Sequence, residues 1–291
     1  MYDAVAHSLT VASTGGFSPY GDSIGHFDSV AMEMVVIVGM IVGGANFTLH
    51  WRAVTGEPGA HVRDSEFRSY MFVLALATVV VVPLLWFDGG FSFGTSLRVG
   101  AFNVASLATS TGYGNATGPG SAGDYVTWVA GPQLVLLFLM VVGASTGSTS
   151  GGIKIMRMQV LGLVAVRAVR RSQQPRAVIP VKLGGSAIPE DIVSRMTGFF
   201  LIYLLLILGG VIAVTSLGGE LESSIGAVVG SMGNMGPALN QAGPTASFAE
   251  AFSQPARLVL AALMLIGRLE IFAILLMFAA PYRFARARAR R

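Results

Sequence analysis

Residues 103–118 read Asn103-Val-Ala-Ser-Leu-Ala-Thr-Ser110-Thr111-Gly112-Tyr113-Gly114-Asn115-Ala-Thr-Gly118. A short apolar segment, 95–108, runs straight into this glycine-rich coil, and long apolar runs lie on both sides of it. A helix needs about 20 apolar residues to cross the hydrocarbon layer, so a stretch this short enters the membrane and turns back. Irregular backbone at that depth is tolerated only where protein buries it or where it lines water.

Two more clusters repeat the pattern. One reads Val-Ala-Ser13-Thr14-Gly15-Gly16-Phe17-Ser18 after a short segment at 3–12. The other reads Val-Gly-Ser231-Met232-Gly233-Asn234-Met235-Gly236-Pro237 after 223–230. Each carries Ser-x-Gly and precedes a long apolar helix, so the repeating unit is span, short helix, glycine loop, span. Repeats in membrane proteins build pseudo-symmetric pathways near the bilayer centre.

Composition agrees. Of 291 residues 53% are hydrophobic and 12% charged, against about 25% charged in soluble domains. The mean hydropathy is +0.67, and 37 residues are glycine. The chain has no cysteine, which excludes disulfides and thiolate chemistry. The four histidines, at 7, 26, 50 and 61, are dispersed and match no metal-ligand spacing. No nucleophile–base pattern suggests an enzyme, and no cofactor is expected.

Five long apolar segments are read as helical spans because they are continuous rather than alternating. They run from Phe27 to about Leu49, from Phe67 to Trp86, from Val126 with a break to Val169, from Ile192 to Leu217 and from Pro255 to about Tyr282. The expected architecture is therefore an all-α membrane protein with span–pore helix–filter loop–span units around a pseudo-symmetric pore. Its segments are 1–50 (pore loop and span), 51–66 (cytoplasmic loop), 67–170 (a unit with a broken inner span), 171–190 (linker), 191–282 (a further unit) and 283–291 (basic tail). Sixteen of the 19 basic residues fall between the first two spans, after the break in the third, or in the tail. The glycine loops lie opposite them, so the positive-inside rule puts the basic segments in the cytoplasm. Lipid headgroups and topology explain the pI of about 9.7, so no nucleic-acid partner is expected. The basic stretch 167–182 suits lipid or a docking partner equally.

The physics of the repeated unit favours a cation path. Extended Ser/Thr-Gly backbone can turn carbonyl oxygens toward one axis, where they replace the hydration shell of an ion such as potassium. Helix C-termini aimed inward add partial negative charge. The candidate filter residues are Ser13, Thr14, Gly15 and Gly16; Ser110, Thr111, Gly112 and Tyr113; and Ser231, Met232, Gly233, Asn234 and Gly236. A tight turn at the headgroups is the alternative. Gly15 competes with Gly16, and Gly233 with Gly236, for the narrowest point. Asn115 and Asn234 are expected to brace their loops.

The break in the third span holds Gly143, Ser145, Thr146, Gly147, Ser148, Thr149, Ser150, Gly151 and Gly152. Its small polar residues free the backbone from helix geometry and can line water, or else form a close-packing kink between helices. GGIK lacks the GxxxxGK[ST] pattern of a nucleotide loop, since Ile153 intervenes before Lys154. Lys154 either repels cations at the inner mouth or reaches the surface. Arg268, deep in the last span, needs a partner: the polar break or Glu270. Glu33 is expected at an interface, Trp51, Trp86 and Trp128 in an aromatic belt, and Asp88, Asp124, Glu220 and Glu222 in solvated outer loops.

The segments ASTGGFS (12–18), NVASLATSTGYGNATG (103–118), GASTGSTSGGIK (143–154), GSMGNMGPAL (230–239) and MLIGRLEIF (264–272) together resemble the TrkH/KtrB family of potassium-uptake membrane subunits. The resemblance implies four span–loop–span repeats around one pore, a homodimer in the plasma membrane, and a cytoplasmic nucleotide-binding regulatory subunit. It also implies that the loop at 143–152 lies beneath the filter and obstructs it until gating, beside Lys154 and Arg268. Three filter loops are found where the family has four. Met1 falls where the second pore helix would begin, so the first repeat is expected to be missing and the chain alone not to transport. A secondary transporter of a small solute, or a non-conducting fragment, are the alternatives.

Overall fold

The computed structural model describes residues 1–269. Among them the chain is mostly helical; a two-residue hairpin, Lys182–Leu183 with Ser186–Ala187, is the one small sheet. The expected last span beyond Arg268, Glu270 and the basic tail at 283–291 lie outside the described residues.

The first unit comprises α1 (Tyr2–Ala12), α2 (Val30–Gly44), α3 (Phe47–Val54) and the single turn α4 (Ala60–Arg63). The second comprises α5 (Ser65–Phe87), α6 (Phe93–Ala108), α7 (Ala130–Val141) and α8 (Ile155–Gln173). The third comprises α9 (Glu190–Ser216), α10 (Leu221–Gly233), α11 (Phe248–Ala251) and α12 (Gln254–Arg268). Of these, α5 and α9 are each long and apolar enough to cross a membrane alone. Side-chain caps fix several starts: Asp64 accepts from the Phe67 amide and Ser92 from the Thr95 amide.

Several expectations are corrected. The first span does not run to Leu49: α2 stops at Gly44, and α3 leaves at 98° to it. Asn46 drives the turn by capping α3 through the Thr48 amide. Gly44 leaves room there, because a methyl group on it would meet the Tyr70 hydroxyl and Ala144. The third short helix extends to Gly233, so Ser231, Met232 and Gly233 are its last turn and not loop. Glu33 is 1% exposed rather than solvated, because Arg98 grips both its oxygens at 2.9 and 3.0 Å. Trp128 is buried beneath its loop, donating to the Ala122 carbonyl. Asp124 is buried too and accepts from the Gly120 and Val126 amides. His50 and His61, distant in sequence, meet at 3.0 Å across the α3–α4 hairpin.

The core follows from these elements. One cluster joins α5, α6 and α7 around Leu85, Leu136 and Met140, and another joins α9, α10 and α12 around Tyr203, Val228 and Leu260. A smaller one seats α1 and α2 against α6 through Val11, Met40 and Phe102. The short helices α6 and α10 are thus the most enclosed, with nearly every residue of their last three turns buried. Re-entrant helices can be this polar and glycine-rich because protein, not lipid, covers them.

Candidate ion path and the loop beneath it

The three re-entrant helices end alike. In each, a residue at the cap or just past it adopts the left-handed conformation: Thr14 at φ +47°, Ser110 at +57° and Asn234 at +56°. Their amides bond three residues back, to Val11, Leu107 and Ser231, at 3.0, 3.1 and 3.1 Å. The next amides bond five back: Gly15 to Thr10, Thr111 to Ser106 and Met235 to Gly230, at 2.8, 2.9 and 3.0 Å. This bond pair is the Schellman motif, which usually places glycine at the left-handed position. Here Thr, Ser and Asn occupy it, so each loop begins on strained backbone.

These bonds align the loops without reference to sequence. Thr14, Ser110 and Asn234 are equivalent, and two residues on come Gly16, Gly112 and Gly236, at φ +67°, +79° and +86°. The Ser-x-Gly register read from sequence is therefore wrong in the first and third loops, by one and three residues. Gly16 rather than Gly15, and Gly236 rather than Gly233, match Gly112. Ser13 is the helix cap, and Ser231 lies inside the helix.

The aligned loops abut in order. A methyl group on Gly16 would overlap the Thr111 carbonyl oxygen, and one on Gly112 would overlap that of Met235. Thr111 and Met235 are themselves equivalent positions, so the two contacts repeat one relationship. Gly236 has nothing within 4 Å of the corresponding point among the described residues. Among the described residues the three loops therefore abut in the order first, second, third, with no corresponding contact at Gly236. Together they line a cavity of about 290 Å³ with Gly16, Gly112, Gly114 and Gly236 on its wall. Tyr20 stands at its rim and donates to Asp3 at 3.1 Å, which raises its phenol above the ordinary range.

Braces hold the loops. The Thr10 hydroxyl donates to the Phe17 carbonyl at 3.0 Å and Ser106 to the Tyr113 carbonyl at 2.7 Å, an equivalent pair. Gly230 fills that place in the third unit, where Pro237 O lies 3.5 Å from the absent Cβ. Tyr113 reaches across to Thr10 and so ties the second loop to the first helix. Asn115 accepts from Asn103 at 3.0 Å and is buried. Asn234 donates to Met264 O at 3.2 Å.

The polar break lies against the ends of these helices. Its neck is closed by Gly143 N to Ile153 O at 2.9 Å and Ile153 N to Val141 O at 3.0 Å. Thr149 Oγ1 reaches Gly43 O at 3.3 Å and Ala12 O, the end of α1, at 3.5 Å. A methyl group on Gly151 would overlap Gly233 O, the end of α10. Ser145 N donates to Gly44 O at 3.0 Å, and Gly147 O accepts from Phe47 N at 3.2 Å. Ser148 Oγ donates to Ser145 O, and Ser150 Oγ accepts from Ala144 N at 2.9 Å. Thr146 N donates to Glu66 at 2.6 Å. Lys154 folds back onto Ser150 O and its hydroxyl rather than reaching the surface. Arg268 donates to Thr149 O at 2.8 Å, and a cavity of about 190 Å³ beside Gly152 opens between them.

Sequence reasoning missed Glu66, Asn103, Thr10 and Ser106. The hydroxyl four residues before each left-handed position was the available signal for Thr10 and Ser106, once the loops are in register. Among the described residues no group of three or more His, Asp and Glu could hold a metal.

The profile of the TrkH family, described as a cation transport protein, matches residues 1–284. The Trk system potassium uptake protein TrkH of Salmonella typhimurium is 32% identical over 279 residues, covering 95% of this chain and 56% of that protein. The protein of the same name from Halomonas elongata is 33% identical over 278 residues, with the same coverage. The crystal structure of the potassium transporter TrkH from Vibrio parahaemolyticus superposes with a TM-score of 0.86 at 32% identity, covering 95% of this chain and 58% of that one. The chain thus spans little more than half the length of these relatives.

Proposed function

The chain belongs to the TrkH family of cation transport proteins, and on that premise we propose that its three loops form three sides of a potassium-selective filter. Main-chain oxygens of residues 14–17, 110–113 and 234–237 replace the hydration shell of a potassium ion on uptake across the plasma membrane. No side chain or bound group takes part in covalent chemistry. The observation that carries the reading is the order of contacts, Gly16 on Thr111 and Gly112 on Met235, which repeats one geometry around a shared cavity.

The open side sets a condition. Backbone facing lipid there has no partner for its polar groups. Among the described residues nothing covers the apolar outer face of α1, where Tyr2, Val5 and Leu9 are exposed. A fourth loop covering that face completes the ring, and conduction requires it. The loop at 143–152, pressed on the ends of α1 and α10 and held by Arg268, serves as the gate. A homodimer and a cytoplasmic nucleotide-binding regulatory subunit belong to the same proposal.

The test is rubidium uptake into liposomes. Chain 1–291 alone is expected to pass no selective flux. A chimera in which it replaces the matched part of the Vibrio transporter is expected to pass potassium and rubidium and to rescue growth of uptake-deficient cells at low potassium. Selective flux through 1–291 alone overturns the open-ring reading, and a folded but inactive chimera overturns the filter reading.

A further inference from the structure

Glu66 belongs to the first turn of α5, immediately after the α3–α4 hairpin on the basic side of the protein. It is 6% exposed, an unusual position for a carboxylate. One oxygen, Oε1, accepts from the amide of Thr146 at 2.6 Å and from that of Met156 at 3.1 Å. Those amides stand on opposite limbs of the polar loop: Thr146 follows its descending neck, and Met156 opens α8. Gln159, one turn further along α8, bonds Ser69 and the Ser65 carbonyl of α5 and keeps the two helices in register.

From this geometry we infer that Glu66 is a positioning residue that latches the intramembrane loop in its seat beneath the three re-entrant helices. The loop's other ties are neutral hydrogen bonds, one bond from Arg268 to Thr149 O, and the bonds by which Lys154, at the loop's own end, folds back onto Ser148 and Ser150. Glu66 crosses from another helix to both limbs with a charge-assisted acceptor, and such bonds are roughly twice as strong as neutral ones. It also faces the first free amides of α8, where a carboxylate is favoured by the helix dipole. Releasing it frees both limbs together, so the loop moves as a unit. The inference rests on the gate reading for its consequence in transport, but not for the latch itself.

The test is amide hydrogen exchange of 1–291 in lipid nanodiscs, with Glu66→Ala and Glu66→Gln. Removing the acceptor is expected to speed exchange at Thr146 and Met156 by about tenfold or more, in line with a buried bond to a charged group. Glu66→Gln keeps an acceptor oxygen of the same shape and is expected to rescue most of the protection. Glu33→Gln, far from the loop, leaves these amides unchanged. In the transporting chimera Glu66→Ala is expected to raise rubidium flux, whereas a purely structural role would lower it. Unaltered exchange at Thr146 and Met156 in Glu66→Ala overturns the latch, and lowered flux in a folded protein whose exchange is faster overturns the gate reading. Faster exchange with unchanged flux upholds the latch and overturns only the gate.

Discussion

Gly112→Ala and Gly236→Ala make a matched pair. Both glycines sit at strongly positive φ, +79° and +86°. An L-residue there costs about 1–2 kcal/mol in either case. Only Gly112 presses on another loop, since its added methyl would overlap the Met235 carbonyl oxygen, while Gly236 has open space. A carbon needs about 3.3 Å from a carbonyl oxygen, so the second and third loops must part. Forcing a methyl into packed surroundings adds about 1–3 kcal/mol. Gly112→Ala should therefore destabilise 1–291 by about 2–5 kcal/mol, and Gly236→Ala by about 1–2 kcal/mol. Gly16→Ala, which would strike Thr111 O, should resemble Gly112→Ala. Thermal unfolding in detergent reads the order. In the chimera, a fourth loop closing on Gly236 should raise the cost of Gly236→Ala to that of Gly112→Ala, with matching loss of rubidium flux. Equal destabilisation by the two alanines in 1–291 would refute the claim that these glycines exist for loop-to-loop contact.

Three further outcomes are expected. Arg98→Ala leaves the buried Glu33 carboxylate without its bidentate partner and should cost about 3 kcal/mol, read by thermal unfolding, with Glu33→Gln in the same chain recovering part of it. Ser106→Ala should cost about 1–3 kcal/mol by orphaning the Tyr113 carbonyl, whereas Gly230→Ser, whose Cβ meets only ordinary contacts at 3.4 and 3.5 Å, should stabilise by up to about 1 kcal/mol; a destabilising Gly230→Ser speaks against the equivalence of the three units. Deleting part of 145–150 in the chimera should raise rubidium flux, and unchanged flux removes the loop as a gate.

The helical membrane class, the three units and their order were legible in the sequence. The long apolar runs have nowhere to go but lipid, and each short helix before a glycine cluster is too brief to cross. Those are properties of the chain read locally, and hydropathy and residue type report them directly.

Register and partnership were decided by the tertiary structure. Sequence alone aligned Ser13, Ser110 and Ser231, because Ser-x-Gly is the visible likeness. The backbone aligned Thr14, Ser110 and Asn234 instead, because the point at which a helix stops depends on what packs around its last turn. Gly233 stayed helical with Met140 O, Gly151 and the Met235 side chain against it. Glu33 looked like a charge near the end of a span, and Glu66 drew no reading at all. Only folding brought Arg98 to one and two amides from 80 and 90 residues away to the other. A carboxylate can be buried only if such partners arrive, and their arrival is a fact about packing in space that no single stretch of chain contains.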